Sequence, residues 1–244
     1  LMLPLVTYYL QPVDYGRLEV LTSLATLASV VIGFGLANAL FRFTSLETDR
    51  AGENQAAADG LGLASWSGIV AICLAIIVTP VLSNLLPGGL SEYEVRMVLL
   101  TIAFEGVIAM PLAWLRLNDH AYSFFLINTG KALLQAGLTL YLLMQGRGVA
   151  GVIEAGFIAA FLQAGLLFLL QIRRTGINLF GPRFKDMLIY GAPLVGSGLV
   201  MFMLNGVDRW ILADHVGNAQ LAQYAIAAKF ALAANLLIQP YVMW

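Results

Sequence analysis

LGLASWSGIVAICLAIIVTPVLSNLL, residues 61–86, contains no charged side chain. A helix rises 1.5 Å per residue, so a stretch of this length exceeds the roughly 20 residues that cross the hydrocarbon core of a bilayer. Its backbone polar groups have no partner in lipid unless the segment is a helix or part of a closed barrel. The run is too long and too continuously apolar for a barrel strand, and it reads as a transmembrane helix. Six further runs, near 17–41, 95–116, 121–145, 149–172, 187–213 and 218–244, carry the same signal. The fold class expected is therefore an all-α polytopic membrane protein.

Composition agrees. Hydrophobic residues make up 60% of the chain and charged residues 11%, with a mean hydropathy of +0.83, which excludes an ordinary soluble domain. A single cysteine, Cys73, lies inside an apolar run, so no disulfide framework or thiolate metal site is expected. His120 and His215 sit near the ends of runs, and neither suggests zinc or haem; no metal and no cofactor is expected. The opening stretch LMLPLVTYYL (1–10) has no basic region or small-residue cleavage site, and it reads as the second half of a helix rather than a signal peptide. On this reading the sequence is a piece of a longer protein.

Basic residues set the orientation, because loops rich in Lys and Arg stay in the cytoplasm. Arg42, Arg50, Arg116, Arg173, Arg174, Arg183 and Lys185 fall in one set of alternating loops, against Arg17, Arg96 and Arg147 in the other. Loops 42–60, 116–120 and 173–186 are therefore expected to be cytoplasmic. Pro12 and Gly16, Pro87-Gly88-Gly89, and Gly176, Gly181 and Pro182 mark turns between runs. The segment TSLETDRAGENQAAADG (44–60) reads as a solvated, mobile linker. Residues 13–32 faintly echo 221–238, with Tyr15 matching Tyr224, as in a six-helix unit repeated in parallel.

Charges within apolar runs cost a few kcal/mol each on insertion scales and so tend to face a bundle interior or an aqueous cavity. Lys131 lies mid-run on a seam with His120, Phe124, Asn128, Gln135 and Thr139 at steps of three and four. A cavity suits Lys131; Asn128 and Gln135 fit helix–helix hydrogen bonding equally well. Glu105 is either an ion-coupling carboxylate or a structural partner for Lys131. Lys229, on a face of small residues (Ala222, Ala225, Ala233), points to open space. The adjacent Asp208 and Arg209 read better as a self-neutralising structural anchor. Glu19, Thr22, Thr26, Ser29 and Gly33 form a gentler seam, expected to be a packed helix face, with Arg42 beyond it as a snorkelling anchor or a phosphate-capturing group. No P-loop, H-E-x-x-H or G-x-S-x-G pattern is present, and Asp59-Gly60 lacks the downstream residues of a membrane phosphotransferase motif, so no enzyme active site is expected.

Three stretches carry a resemblance: LPLVTYYLQPVDYGRLEVLTSLATLASVVIGFGLANALFRF (3–43), PLAWLRLNDHAYSFFLINTGKALL (111–134) and YGAPLVGSGLVMFMLNGVDRWILADHVGNAQLAQYAIAAKFA (190–231). In this order and spacing they resemble the polysaccharide biosynthesis (oligosaccharide flippase) family of the multidrug/oligosaccharidyl-lipid/polysaccharide (MOP) exporter superfamily. The resemblance implies a MATE/MOP-like helical bundle of two six-helix lobes, with about seven and a half of twelve helices represented here. Residues 1–172 would form the N-terminal lobe, 173–186 a basic cytoplasmic inter-lobe loop, and 187–244 the first two helices of the second lobe. It implies a multi-pass protein of the bacterial cytoplasmic membrane that turns a polyprenyl-diphosphate-linked oligosaccharide across the bilayer by alternating access. Its partners would be that lipid-linked oligosaccharide, membrane lipid and a glycan polymerase or export machinery, with no nucleic acid. Lys131, Lys229 and Arg42 would offset the diphosphate charge, and Asn128 and Gln135 would meet sugar hydroxyls. An ion-coupled multidrug exporter of the same superfamily is the nearest rival, disfavoured because deep cations outnumber the one deep acid, Glu105. A membrane-embedded glycan polymerase or ligase is a third reading, disfavoured by the short outer loops.

Overall fold

The computed structural model describes residues 3–47 and 49–242, with the side chains of residue 34 and of 233–242 outside the description. Ten helices account for most of it, and no strand occurs among the described residues. They are α1 (Leu3–Tyr9), α2 (Pro12–Ser45), α3 (Arg50–Leu85), α4 (Glu92–Ala103), α5 (Glu105–Leu117), α6 (Ala121–Met144), α7 (Gly148–Thr175), α8 (Phe184–Asn205), α9 (Val207–His215) and α10 (Asn218–Val242). Among the described residues, five spans are long and apolar enough to cross a membrane: α2, α3, α4 with α5, α7, and α8 with α9. The protein is thus an all-α, multi-pass membrane protein.

Local sequence explains where these helices begin and break. Pro12 starts α2, where its missing N–H costs nothing, so Gly16 lies inside the helix rather than in the expected loop. Ser91 and Glu94 close a reciprocal capping box on α4, and Arg17 of α2 donates to the same Glu94 carboxylate at 2.8 Å. The run at 95–116 divides at Phe104, so Glu105 stands in the first turn of α5, where the positive end of the helix dipole favours a carboxylate. The run at 187–213 divides at Gly206, between α8 and α9. Gly176, with φ of 77°, ends α7 in a conformation that a side chain would oppose. The run at 121–145 forms α6 over its expected length but is not among the five spans, because Asn128, Lys131 and Gln135 dilute its hydropathy.

α2 is the central helix and packs against α1, α3, α4, α5, α7, α8, α9 and α10. One apolar core gathers α2, α3, α5, α7 and the start of α8 around Leu40, Met110, Leu167 and Met187. A second, around Leu21, Val95 and Leu221, joins α2, α4, α7, α9 and α10. α2 crosses α8 at Gly35 and Gly191, where a Cβ added to Gly35 would lie 2.6 Å from the Gly191 Cα; only glycine admits this approach. The α2, α3, α5, α7 and α8 termini that carry Arg42, Arg50, Arg116, Arg173, Arg174, Arg183 and Lys185 share one end of the bundle, called here the basic end. The start of α2 and the starts of α4 and α10 lie at the far end.

The expected mobile linker at 44–60 is corrected. α3 begins at Arg50, capped by the Asp49 carboxylate, and Ala56 to Gly60 are all buried. Polar composition misled here because Asp59 finds partners within the protein instead of water.

Candidate functional site

Glu19 lies two turns into α2 and is 1% exposed. An isolated carboxylate at such a depth carries a heavy desolvation penalty, which only direct cationic partners offset. It has two. Lys229 of α10 forms an ion pair with one of its oxygens, and the Arg209 Nε of α9 lies 3.5 Å from the other. Lys229 also donates to the Tyr15 hydroxyl at 2.7 Å, and Arg209 reaches the Asp208 carboxylate at 3.4 Å. Asp208 in turn accepts from the Tyr224 hydroxyl at 2.5 Å. The cluster holds two carboxylates and two cations, a neutral set in an apolar bundle, drawn from α2, α9 and α10.

The local fold produces this convergence. Ending α8 at Gly206 lets α9 turn so that Arg209 faces α2, and the buried Ser23 hydroxyl donates to the Gly206 carbonyl at 3.4 Å. Gly16 lets the start of α10 press against α2: an added Cβ would strike the Asn218 carbonyl. Lys229, three turns further along α10, reaches back to Glu19 and Tyr15 with its side chain.

Beside the cluster opens a cavity of about 350 Å³ between α2, α8, α9 and α10. Its polar wall is Glu19, Thr22, Thr26, Asn205, Arg209 and Lys229. The first part of the α2 seam is therefore a cavity wall, with Thr22 and Thr26 exposed, whereas Gly33 keeps to the expected packed face, against Glu105. The Lys229 and Asp208 side chains are 39% and 37% exposed, whereas Glu19 is hidden. Lys229 is thus open to the cavity, whereas Arg209 and Glu19, with side chains 17% and 2% exposed, are covered more deeply at its wall.

Of the residues singled out in the sequence, Lys229, Asp208 and Arg209 meet here, and Asp208–Arg209 joins a larger network instead of neutralising itself. The others stand apart. Lys131 is half-buried on α6 and has no ion pair among the described residues, and Glu105 lies beside Gly33 of α2 with none either, so the Glu105–Lys131 pair is not formed. Asn128 donates to the Phe124 carbonyl of its own helix at 2.8 Å. Gln135 lines a smaller recess of about 180 Å³ that shares Thr22 with the main cavity. Arg42 is exposed and stacks on the Tyr190 ring, 4.8 Å from its centroid. The expected excess of deep cations over acids is corrected as well, since Glu19 and Asp208 balance Lys229 and Arg209.

Sequence reasoning passed over Glu19 as a functional group and placed Asp59 in a solvated linker. At the basic end Asp59 is fully buried; it accepts from Asn178 at 2.8 Å and pairs with Arg183 at 3.3 Å, while Arg183 also holds Glu47 at 2.6 Å. The signal available for Glu19 was an acid inside an apolar run, followed by two cations deep in later runs. Among the described residues no cluster of His, Cys, Asp or Glu could hold a metal ion.

The fold and the buried charge cluster define a multi-pass helical membrane protein with a polar interior cavity. A polysaccharide biosynthesis protein family model matches residues 5–242. The chain belongs to that family. No curated protein and no solved structure matches it.

Proposed function

We propose that this protein flips a polyprenyl-diphosphate-linked oligosaccharide across the bacterial cytoplasmic membrane by alternating access, as a transporter and not an enzyme, upstream of a glycan polymerase or export machinery. Membership of the polysaccharide biosynthesis family supports the pathway. The observation that carries the reading is the Glu19 cluster: two cations held by carboxylates, both cations on the wall of a cavity, inside a membrane-spanning bundle.

A diphosphate entering an apolar medium needs cations that are already desolvated and pre-positioned. Lys229 and Arg209 meet that need, and Glu19 and Asp208 together keep them neutralised while the cavity is empty. Substrate binding would exchange carboxylate for phosphate on the cations, and Glu19 would need them back once substrate leaves. The clasp between α2 and α9–α10 thereby opens and closes with occupancy, which is the differential interaction that any ligand-driven change of state requires. Thr22, Thr26 and Asn205 supply hydroxyl and amide partners for sugars.

Complementation tests this reading. In a bacterial strain lacking its polysaccharide flippase, the protein should restore surface glycan, and Lys229→Met should abolish restoration while membrane abundance stays unchanged. Full restoration by both Lys229→Met and Arg209→Met would sink the cationic-cavity mechanism. Raised resistance to cationic drugs without glycan would assign the protein to drug export.

A further inference from the structure

A second feature lies at the basic end, away from the Glu19 cluster. Arg174 of α7 stacks on the Trp114 ring of α5, 5.4 Å from its centroid. Arg116, two residues beyond Trp114, lies over Phe124 of α6 at 5.4 Å and Phe41 of α2 at 5.5 Å. Both arginines are exposed, and neither has a carboxylate within ion-pair distance among the described residues, although Glu53 and Asp119 are in the neighbourhood. Aromatic rings lie against the two guanidinium groups, whose N–H groups have no carboxylate partner among the described residues.

Directly below Arg174 runs a slot of about 230 Å³ between α5, α6 and α7. Leu115, Leu126, Leu167 and Leu170 form its apolar part, and Ser123 and Arg174 its polar mouth. Leu126 is 56% exposed on the outer surface of α6, so the slot opens sideways toward lipid and not into the bundle. Free cations at the membrane boundary over an apolar slot match one ligand chemistry: an anionic headgroup joined to an acyl chain. Basic pockets between transmembrane helices on one side of a membrane recognise phosphate headgroups in this way, and arginine binds phosphate through two parallel N–H bonds.

We propose that this corner binds an anionic phospholipid, with its phosphate on Arg174 and Arg116 and one acyl chain in the α5–α6–α7 slot. The site is separate from the Glu19 cavity and does not depend on what that cavity transports. Charge complementarity selects anionic lipid over zwitterionic lipid, whose own ammonium group already neutralises its phosphate.

Purified protein in detergent, titrated with phosphatidylglycerol or with phosphatidylcholine of the same chains, tests the assignment by thermal unfolding and by lipid adducts in native mass spectrometry. Phosphatidylglycerol at about 100 times its dissociation constant should raise the midpoint by roughly 5 °C or more, and phosphatidylcholine should raise it much less. Arg116→Gln with Arg174→Gln should erase the difference, whereas Lys185→Gln, which removes an exposed cation at the same end, should keep it. Leu126→Trp, which fills the slot while sparing both arginines, should weaken phosphatidylglycerol adducts. Equal response to the two lipids, or a preference that survives the double substitution, overturns the proposal. An equal shift from inorganic phosphate alone makes the corner a simple anion site and overturns it too.

Discussion

The two ends of the bundle hold their buried acids in different ways. At the basic end Asp59 is locked by main chain as well as side chain: the Asn178 N–H donates to the Ala58 carbonyl at 3.1 Å, and Trp66 Nε1 donates to the Leu179 carbonyl at 3.1 Å. Gly62 and Gly181 press so closely on the Asn178 carbonyl and the Asp59 side chain that neither position has room for a Cβ. The Glu19 cluster is joined by side chains, three of its four charged members line the cavity, and its supporting bonds from Ser23 and Trp210 are long, at 3.4 and 3.5 Å. One arrangement suits permanent attachment of the 176–183 loop to α3. The other suits ion pairs that trade partners. Burial of an acid therefore does not by itself mark function; exposure of its cationic partner to a cavity does.

Breaking the basic end should cost the most stability. Asp59→Ala removes the buried partner of Arg183 and strands Asn178, and should destabilise the protein by about 3 kcal/mol, with loss of export following from loss of folded protein. Unfolding in detergent with parallel quantification of membrane abundance checks this. Glu19→Gln should reverse the order of effects. Stability should fall by about 1–2 kcal/mol, because the cavity partly hydrates the freed cations, while export falls at normal abundance. Loss of about 1.4 kcal/mol from the conformational step already slows it tenfold. Equal export by Glu19→Gln and the parent would erase the contrast between the two ends. A smaller effect is expected for Gly16→Ala, whose Cβ forces α10 away from α2: about 1–3 kcal/mol of destabilisation, with the Glu19–Lys229 pair loosened. Cysteine cross-linking between α2 and α10 would register that displacement. Smallest is Arg96→Ala, which breaks the exposed i,i+4 pair with Glu92 at 3.7 Å and should change stability by less than about 0.5 kcal/mol.

Long apolar runs made the transmembrane architecture legible, because a bilayer imposes the same length and composition on every helix that crosses it. The helix breaks at Phe104 and Gly206 were not legible, since nothing in EVRMVLLTIAFEGV or MFMLNGVDRW forbids a continuous helix. Asp59 was misread for a related reason: in TSLETDRAGENQAAADG the residues that bury it, Asn178 and Arg183, lie over a hundred positions away. Lys229, Asp208 and Arg209 stood out as charges in apolar surroundings. Glu19 did not, because hydroxyls at helical spacing around it resembled an ordinary packing seam. Periodicity reports which face a residue occupies and is silent on whether that face meets another helix or a void.

The glycine crossing of α2 and α8 gives this arrangement a lever. Gly35 stands 16 residues from Glu19, about 24 Å along the helix axis, and ten residues from Ser45, about 15 Å in the other direction. The two backbones meet directly at the crossing, while toward the basic end Met187 and Tyr190 of α8 pack against α2, with the Tyr190 and Phe43 rings 6.4 Å apart. A tilt of about 10° around that fulcrum carries Glu19 through about 4 Å while the fulcrum itself stays in place. That arc matches the span of a salt bridge, so a modest rocking of one helix on the other is enough to unmake the far-end clasp.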